Sequence, residues 1–186
     1  MLALAQQFPD FLLIPEGGTC EAAVRGVSEL DMVNTPAGPA SLLSCAVGSG
    51  GTVAGLIRGS AATAVLGIAV VKDLSLPDKI SQFLPADRNW PDWQLMPALH
   101  QPRYGRFDQQ LWSFCQSFAS QAVQLEPIYT GKALYTVFEL IKAGKIPKGS
   151  RVSFFHTGGL QALKGLAYRG LIPITDSERS GAPTAD

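Results

Sequence analysis

Short apolar runs alternate with amphipathic stretches along this chain. Phe11-Leu12-Leu13-Ile14 is a continuous apolar run stopped by Pro15 and Gly17-Gly18, the pattern of a strand buried on both faces. Thr19 then stands where a cap opens a helix reaching about Val33, with Ala22, Ala23, Gly26, Val27 and Leu30 on one face. The unit repeats. Ser41 to Val47 reads as a small-residue apolar strand, Gly48 to Gly51 as a glycine turn, Thr52 to Gly59 as a helix carrying Val53, Leu56 and Ile57, and Ala64 to Val71 as a third strand. A proline- and tryptophan-rich stretch from Leu84 to Pro102 holds one further strand at Gln94-Leu95-Met96. Apolar residues recurring at three and four positions predict helices over Phe107 to Val123 and Thr130 to Ala143, the second stopped by Gly144. Val152 to His156 is a last strand, closed by Thr157-Gly158-Gly159 and followed by a helix from Leu160 to Tyr168.

Strands and helices alternating with short joins imply right-handed crossovers and a parallel sheet covered by helices on both faces, a three-layer α/β fold. Residues 1–175 read as one domain without an internal linker, and 176–186 as a tail polar and small enough to be flexible. Leu2-Ala3-Leu4-Ala5-Gln6-Gln7 reads as the last turns of a helix already in progress, because no capping residue precedes it. The fold is therefore expected to be incomplete at the N-terminus.

Composition narrows the class of partner. A chain of 186 residues with 46% hydrophobic and 16% charged content suits a soluble globular domain. Its 15 basic and 15 acidic side chains cancel, so no long-range field gathers nucleic acid or anionic lipid, and a small neutral or zwitterionic partner fits better. Cys20, Cys45 and Cys115 are odd in number and far apart, which argues against a disulfide framework and against a zinc site, and for a reducing cytoplasm. The apolar stretch from Ala61 to Val71 falls short of the about 20 residues a bilayer span requires, and Met1-Leu2-Ala3-Leu4 lacks the basic region of a signal peptide.

Candidate chemistry gathers at strand ends. Gly48-Ser49-Gly50-Gly51-Thr52, between a strand and a helix, lets successive N–H groups converge on an anion with two hydroxyls beside them. The spacing is neither the dinucleotide fingerprint nor a P-loop, and such a turn taken alone serves backbone geometry equally well. Tyr129-Thr130-Gly131-Lys132 opens a helix after Leu125-Glu126-Pro127-Ile128. Alone, Tyr129 reads as a packing aromatic or a proton-transfer group, and Lys132 as a solvated helix lysine. His156-Thr157-Gly158-Gly159 reads as a satisfied core histidine with a glycine turn, unless a ligand sits above the sheet. Open α/β sheets bind ligands at the carboxyl ends of their strands, which favours a functional reading of the three motifs together.

Pro15-Glu16-Gly17-Gly18, Gly48 to Thr52, Leu125 to Lys132 and Phe155 to Gly159 follow one another in an order that resembles the 1-aminocyclopropane-1-carboxylate deaminase / D-cysteine desulfhydrase family. These are pyridoxal 5'-phosphate (PLP) enzymes with a tryptophan-synthase-β-like fold, and the chain is similar to their C-terminal part. The resemblance implies that Gly48, Ser49, Gly50, Gly51 and Thr52 hold the cofactor phosphate, and that Thr130, Thr157 and Gly158 lie by its pyridine ring. It implies further that Tyr129 faces the substrate and that Tyr104, in Arg103-Tyr104-Gly105, is a second active-site tyrosine.

The family's Schiff-base lysine and its carboxylate-gripping Ser-Asn segment sit in an N-terminal part without a counterpart here. Lys72, Lys79, Lys132, Lys142, Lys145, Lys148 and Lys164 stand in none of the right contexts. The expectation is a fragment, a split-gene product or a degenerate copy, with a complementing N-terminal fragment or a family-like homodimer as partner. Where cyclopropane-opening members resemble Tyr-Glu-Gly-Lys, this chain has Tyr129-Thr130-Gly131-Lys132. A carboxylate beside the pyridine nitrogen keeps it protonated, and a threonine hydroxyl does not. The resemblance thus leans toward desulfhydrase chemistry, a thiol amino acid giving pyruvate, sulfide and ammonia, with Tyr129 and Tyr104 assisting proton movement. Deamination of the cyclopropane amino acid is the alternative. A non-catalytic module holding a phosphate or nucleotide in the same glycine loop is the competing class.

Overall fold

The computed structural model describes residue 7 and residues 14–61, 63–100 and 103–173. The expected strand at 11–14, apart from Ile14, the N-terminal helix, apart from Gln7, and the tail at 176–186 lie outside them. After Pro15 a single 3-10 turn (Glu16–Gly18) leads to α1 (Glu21–Ser28). Then come β1 (Leu42–Val47), α2 (Gly51–Gly59), β2 (Ala64–Ala69), α3 (Leu76–Ser81) and β3 (Trp93–Pro97). The chain continues through α4 (Gln109–Ala119), α5 (Thr130–Lys142), β4 (Val152–Phe155) and α6 (Gln161–Tyr168).

The four strands form one parallel sheet in the order β3-β2-β1-β4. Leu42 to Val47 pair with Ala64 to Ala69 on one side of β1, and Leu42 to Cys45 pair with Val152 to Phe155 on the other. This register buries β1 on both faces, which is why its sequence is apolar without alternation. Leu43, Cys45 and Val47 pack with Val24 of α1, Val53 and Ile57 of α2, and Leu76 and Ile80 of α3. Ala46, Leu66 and Ile68 face the opposite way, onto Ala133 and Val137 of α5. Ser44 tolerates its burial because its hydroxyl donates to the Leu66 carbonyl at 2.8 Å. Two helical layers therefore enclose the sheet, as the alternation of elements predicts. All three cysteines are free thiols, and burial pushes those of Cys45 and Cys115 up to about 12.

Three expectations need correction. The first helix stops at Ser28 and not near Val33, because Asp31 draws in the backbone N–H and the side-chain amide of Asn34, at 3.0 and 2.8 Å, and ties the chain into a turn. Val24 is its buried residue, while Ala22, Ala23, Gly26 and Leu30 are exposed. Thr19 does not cap this helix; its hydroxyl is used elsewhere. Finally, α3 was not apparent in the apolar pattern. It is one and a half turns, opened by Asp73, which accepts from the backbone and hydroxyl of Ser75, and by Pro77 in the first turn.

The α1–α2 contact yields a stability prediction of unusual sign. A Cβ on Gly55 would lie 2.5 Å from Cβ of Val27 and 2.8 Å from the Val24 carbonyl oxygen. Helix propensity alone favours Gly55→Ala by about 1 kcal/mol. Overpacking against a backbone atom outweighs that, so Gly55→Ala is expected to lower urea-unfolding stability by about 1–3 kcal/mol.

Candidate active site

The order β3-β2-β1-β4 reverses direction at β1. The chain steps outward from β1 through β2 to β3, then returns to pair β4 with the free side of β1. The segments leaving β1 and β4 therefore diverge at their carboxyl ends, where a crevice opens in sheets of this kind. Gly48 to Thr52 leaves β1 and His156 to Gly159 leaves β4. A cleft of about 530 Å³ lies there, lined by Gly48, Ser49 and Thr52, by Thr157, and by Tyr129 from the start of α5.

The glycine turn is shaped by its neighbours as much as by its own conformation. Gly50 has φ +96°, a region that disfavours side chains, and a Cβ there would sit 3.0 Å from Cγ1 of Ile80 on α3. Ser49 shares a 2.6 Å hydrogen bond with Thr19, which explains why Thr19 is not available as a helix cap. A Cβ on Gly17 would run into Ser49 Oγ, so the Pro15-Glu16-Gly17-Gly18 segment closes over the serine. A Cβ on Gly48 would meet the Tyr129 ring at 3.3 Å. The turn thus opens α2 with first-turn N–H groups that have no partner inside the helix, and two hydroxyls stand beside them.

Tyr129 is placed by a buried carboxylate. Glu126 is fully buried, and its two oxygens accept the backbone N–H groups of Ile128, Tyr129 and Thr130 at 2.6–3.0 Å. The hydroxyl of Thr130 donates to the same carboxylate at 3.0 Å. Four donors therefore converge on one side chain, which substitutes for the solvation Glu126 has given up. Thr130, expected beside a cofactor ring, is itself fully buried and is not part of the cleft lining; its hydroxyl serves the carboxylate beneath the loop.

Lys132 also departs from expectation. It is fully buried, and its ammonium donates to the carbonyl of Arg103 at 2.9 Å. Burial pushes its pKa down, with the nearby charge of Glu126 acting the other way. The lysine appears solvated in sequence because it follows the helix start, but the whole first turn of α5, residues 130–133, is buried. Its bond fixes the segment that carries Tyr104. The rings of Tyr104 and Tyr129 meet edge to face with centroids 5.6 Å apart, so the two tyrosines paired by the sequence are neighbours in space. Burial, then the hydrogen bond with Tyr104, pushes the Tyr129 phenol up to about 12.

Of the remaining candidates, Thr157 lines the cleft and Gly158 does not; the Gly158 N–H donates to Nδ1 of His156 at 3.0 Å. With Nδ1 accepting, Nε2 carries the proton and donates to the Gln124 carbonyl at 2.8 Å. His156 is a neutral, satisfied side chain that shapes the β4 turn. Two cleft residues escaped sequence reasoning, Asp73 and Lys79, which form an ion pair of 2.7 Å at the cleft. Hydrogen bonds from Lys79 and Ser75 hold the Asp73 carboxyl down at about 2, and the same pairing pushes the Lys79 ammonium up. No local pattern marks them, because they follow β2 and reach the turn only through the packing of α3.

The chain is 31% identical to a Pyrococcus abyssi protein named as a candidate 1-aminocyclopropane-1-carboxylate deaminase, over 177 positions, 81% of this chain and 50% of the relative. A Pyrococcus furiosus protein of the same name is 31% identical over 127 positions, 62% of this chain and 38% of the relative. A Bradyrhizobium 1-aminocyclopropane-1-carboxylate deaminase matches at 37% over 49 residues. The chain spans half the length of the first of these relatives and less of the others. A crystal structure described as that of an ACC deaminase homologue superposes with a TM-score of 0.69 at 23% identity, covering 91% of this chain and 56% of that one, which establishes the shared fold. No family model matches the chain.

Two measurements test this geometry. Glu126→Gln keeps the shape but replaces one acceptor with a donor facing N–H groups, and is expected to cost about 2–3 kcal/mol in urea unfolding. Tyr129 should ionise near 12 in a spectrophotometric titration, above the usual 10.0, and Tyr129→Phe should remove that component. A raised phenol pKa means that the stabilisation is complete below pH 10 and disappears as pH climbs from 10 to about 12.

Proposed function

The chain belongs to the 1-aminocyclopropane-1-carboxylate deaminase family, half of whose length it spans in its Pyrococcus abyssi relative, and we propose that it supplies the phosphate-holding part of a PLP site that acts on a small amino acid. The observation that carries this reading is the single cleft in which Gly48, Ser49 and Thr52 meet Tyr129 and Thr157. At about 530 Å³ it falls within the roughly 300–1,000 Å³ typical of small-molecule and cofactor sites. The residues fit a phosphate monoester: a Cβ would crowd the Tyr129 ring at Gly48 and Ile80 at Gly50, and without those side chains backbone N–H groups and the hydroxyls of Ser49 and Thr52 can meet the anion.

Bound there, PLP would supply an electron sink for breaking bonds at the α carbon of an amino acid. The chain's own residues bind and orient. The turn and the start of α2 hold the phosphate, and Thr157 and the Tyr129 ring bound the rest of the cleft. Tyr129 keeps its phenolic proton throughout the neutral range, so its Oη is a proton donor toward the atom that leaves the substrate, with Tyr104 as its hydrogen-bonded neighbour. The position occupied by Thr130 adds no acid to the cleft, and its hydroxyl is committed to Glu126. That supports elimination of a thiol, as in a D-cysteine desulfhydrase-like reaction, because a leaving thiolate relieves the substrate without a protonated ring. The second reading, opening of the cyclopropane amino acid, is favoured by the names of the relatives.

Titration with PLP should give a saturable absorbance change, and Ser49→Ala with Thr52→Ala should weaken it about tenfold or more, two hydroxyl hydrogen bonds to a charged group being lost. Thermal protection by nucleotides without protection by PLP would instead identify a non-catalytic binding module. With the PLP-loaded protein supplied with D-cysteine and the cyclopropane amino acid side by side, sulfide release is expected to exceed ammonia release from the cyclopropane. The reverse order overturns the thiol reading and leaves the cofactor site standing.

A further inference from the structure

The lining of the phosphate cleft contains a charge arrangement that its hydroxyls and N–H groups do not explain. Lys79 lines it together with two carboxylates, Asp73 and Glu16. Its ammonium lies 2.7 Å from an oxygen of Asp73, and about half of its side chain is exposed. The helix that presents it is anchored: Leu76 and Ile80 are fully buried, and Ile80 touches the glycine turn where a side chain on Gly50 would begin. The backbone beneath Lys79 is thereby held at the turn, while its flexible four-carbon stem lets the charged head change partners. Facing it are one lysine and two acids, a lining that would repel an anion so long as Asp73 keeps the ammonium.

We infer that Lys79 is the exchangeable cation of this cleft: a phosphate monoester bound at the Gly48 turn takes Lys79 from Asp73, and Asp73 holds the lysine in place until it does. The inference rests on the phosphate-holding reading above and adds to it a residue that determines affinity for the anion. An exposed ion pair of this kind is screened by solvent and contributes little, so exchanging it is inexpensive. A phosphate dianion carries more charge than the carboxylate it displaces and makes stronger charge-assisted bonds. Glu16 also lines the cleft, near enough to act on the Lys79 charge, and is a like charge to the ligand, which makes the contribution of Lys79 more necessary.

The prediction differs in sign from that of a merely structural pair. Lys79→Gln and Asp73→Asn break the same ion pair and would disturb α3 alike, so a structural role moves both variants in the same direction. Under exchange they diverge. Measured by isothermal titration with PLP and with inorganic phosphate, Lys79→Gln should weaken binding about tenfold, the loss of one charge-assisted hydrogen bond. Lys79→Arg should recover most of it. Asp73→Asn should tighten binding by about threefold or more, because the competing carboxylate and one repulsive charge are removed. Pyridoxal without its phosphate should bind all variants alike. If Lys79→Gln and Asp73→Asn shift affinity the same way, or neither shifts it while Ser49→Ala with Thr52→Ala abolishes it, the exchange is overturned and the phosphate cleft survives. If the unaltered chain binds neither PLP nor phosphate, both are overturned.

Discussion

At the end of β1, side chains from neighbouring elements press against glycine backbone. At Gly17 a Cβ would strike Ser49, at Gly48 it would crowd the Tyr129 ring at 3.3 Å, and at Gly50 and Gly51 it would lie 3.0 Å from Ile80 and from the Thr19 hydroxyl. Each glycine admits a different part of the chain to the same turn: the 3-10 segment, the start of α5, α3 and the link at Thr19 that leads into α1. The cleft is the space left between these four approaches. A side chain at any of them would displace one wall, so the site is a consequence of steric omission before it is a collection of polar groups.

A second anchor works by solvation. Glu126 is buried and collects three backbone N–H groups and one hydroxyl from the loop that begins α5. Breaking any of these bonds leaves a donor or an acceptor stranded away from water, which makes the loop conformation close to all-or-none. Lys132, one turn further on, extends the same rigid unit to the Arg103 carbonyl and so to Tyr104. Gly131 completes it, because a Cβ there would collide with Cys115 of α4. The stretch Glu126 to Lys132 thus reads as a mechanical part that sets two tyrosines against each other and holds one of them over the glycine turn. The walls near Tyr129 are therefore fixed, whereas the wall near Asp73 and Lys79 carries exposed charges at a helix anchored only through Leu76 and Ile80, and that division suits a site that grips one end of its ligand and adjusts to the other.

Much of this was readable in one dimension. Strand, glycine turn and helix follow one another from Leu42 to Gly59 with the periodicities that local sterics impose, and the small-residue apolar run Ser41 to Val47 marked the strand at β1. The turn residues Gly48, Ser49 and Thr52 and the strand-end Thr157 were identifiable because glycine clusters and strand ends are local signals, and Tyr129 by its likeness to a family motif; these five line one cleft, whereas Gly50 and Gly51 are outside its lining. Tyr104 was found by its likeness to a family motif, and it does adjoin Tyr129.

What the chain alone could not decide was burial and partnership between distant residues. Whether Lys132 is solvated or enclosed depends on α4 and the 103–108 segment closing over the first turn of α5, and helix periodicity is silent on that. Thr19 has the composition of a cap, but a hydroxyl takes the best partner within reach, and Ser49 is brought to it from 30 residues away. Thr130 likewise turns to a carboxylate four positions earlier and leaves the cleft to its neighbour. The alternation of elements determined a parallel α/β sheet; only the strand order β3-β2-β1-β4 decided that β1 and β4 part at their carboxyl ends, since pairing between strands separated by a hundred residues is settled by packing of both faces at once and has no local signature.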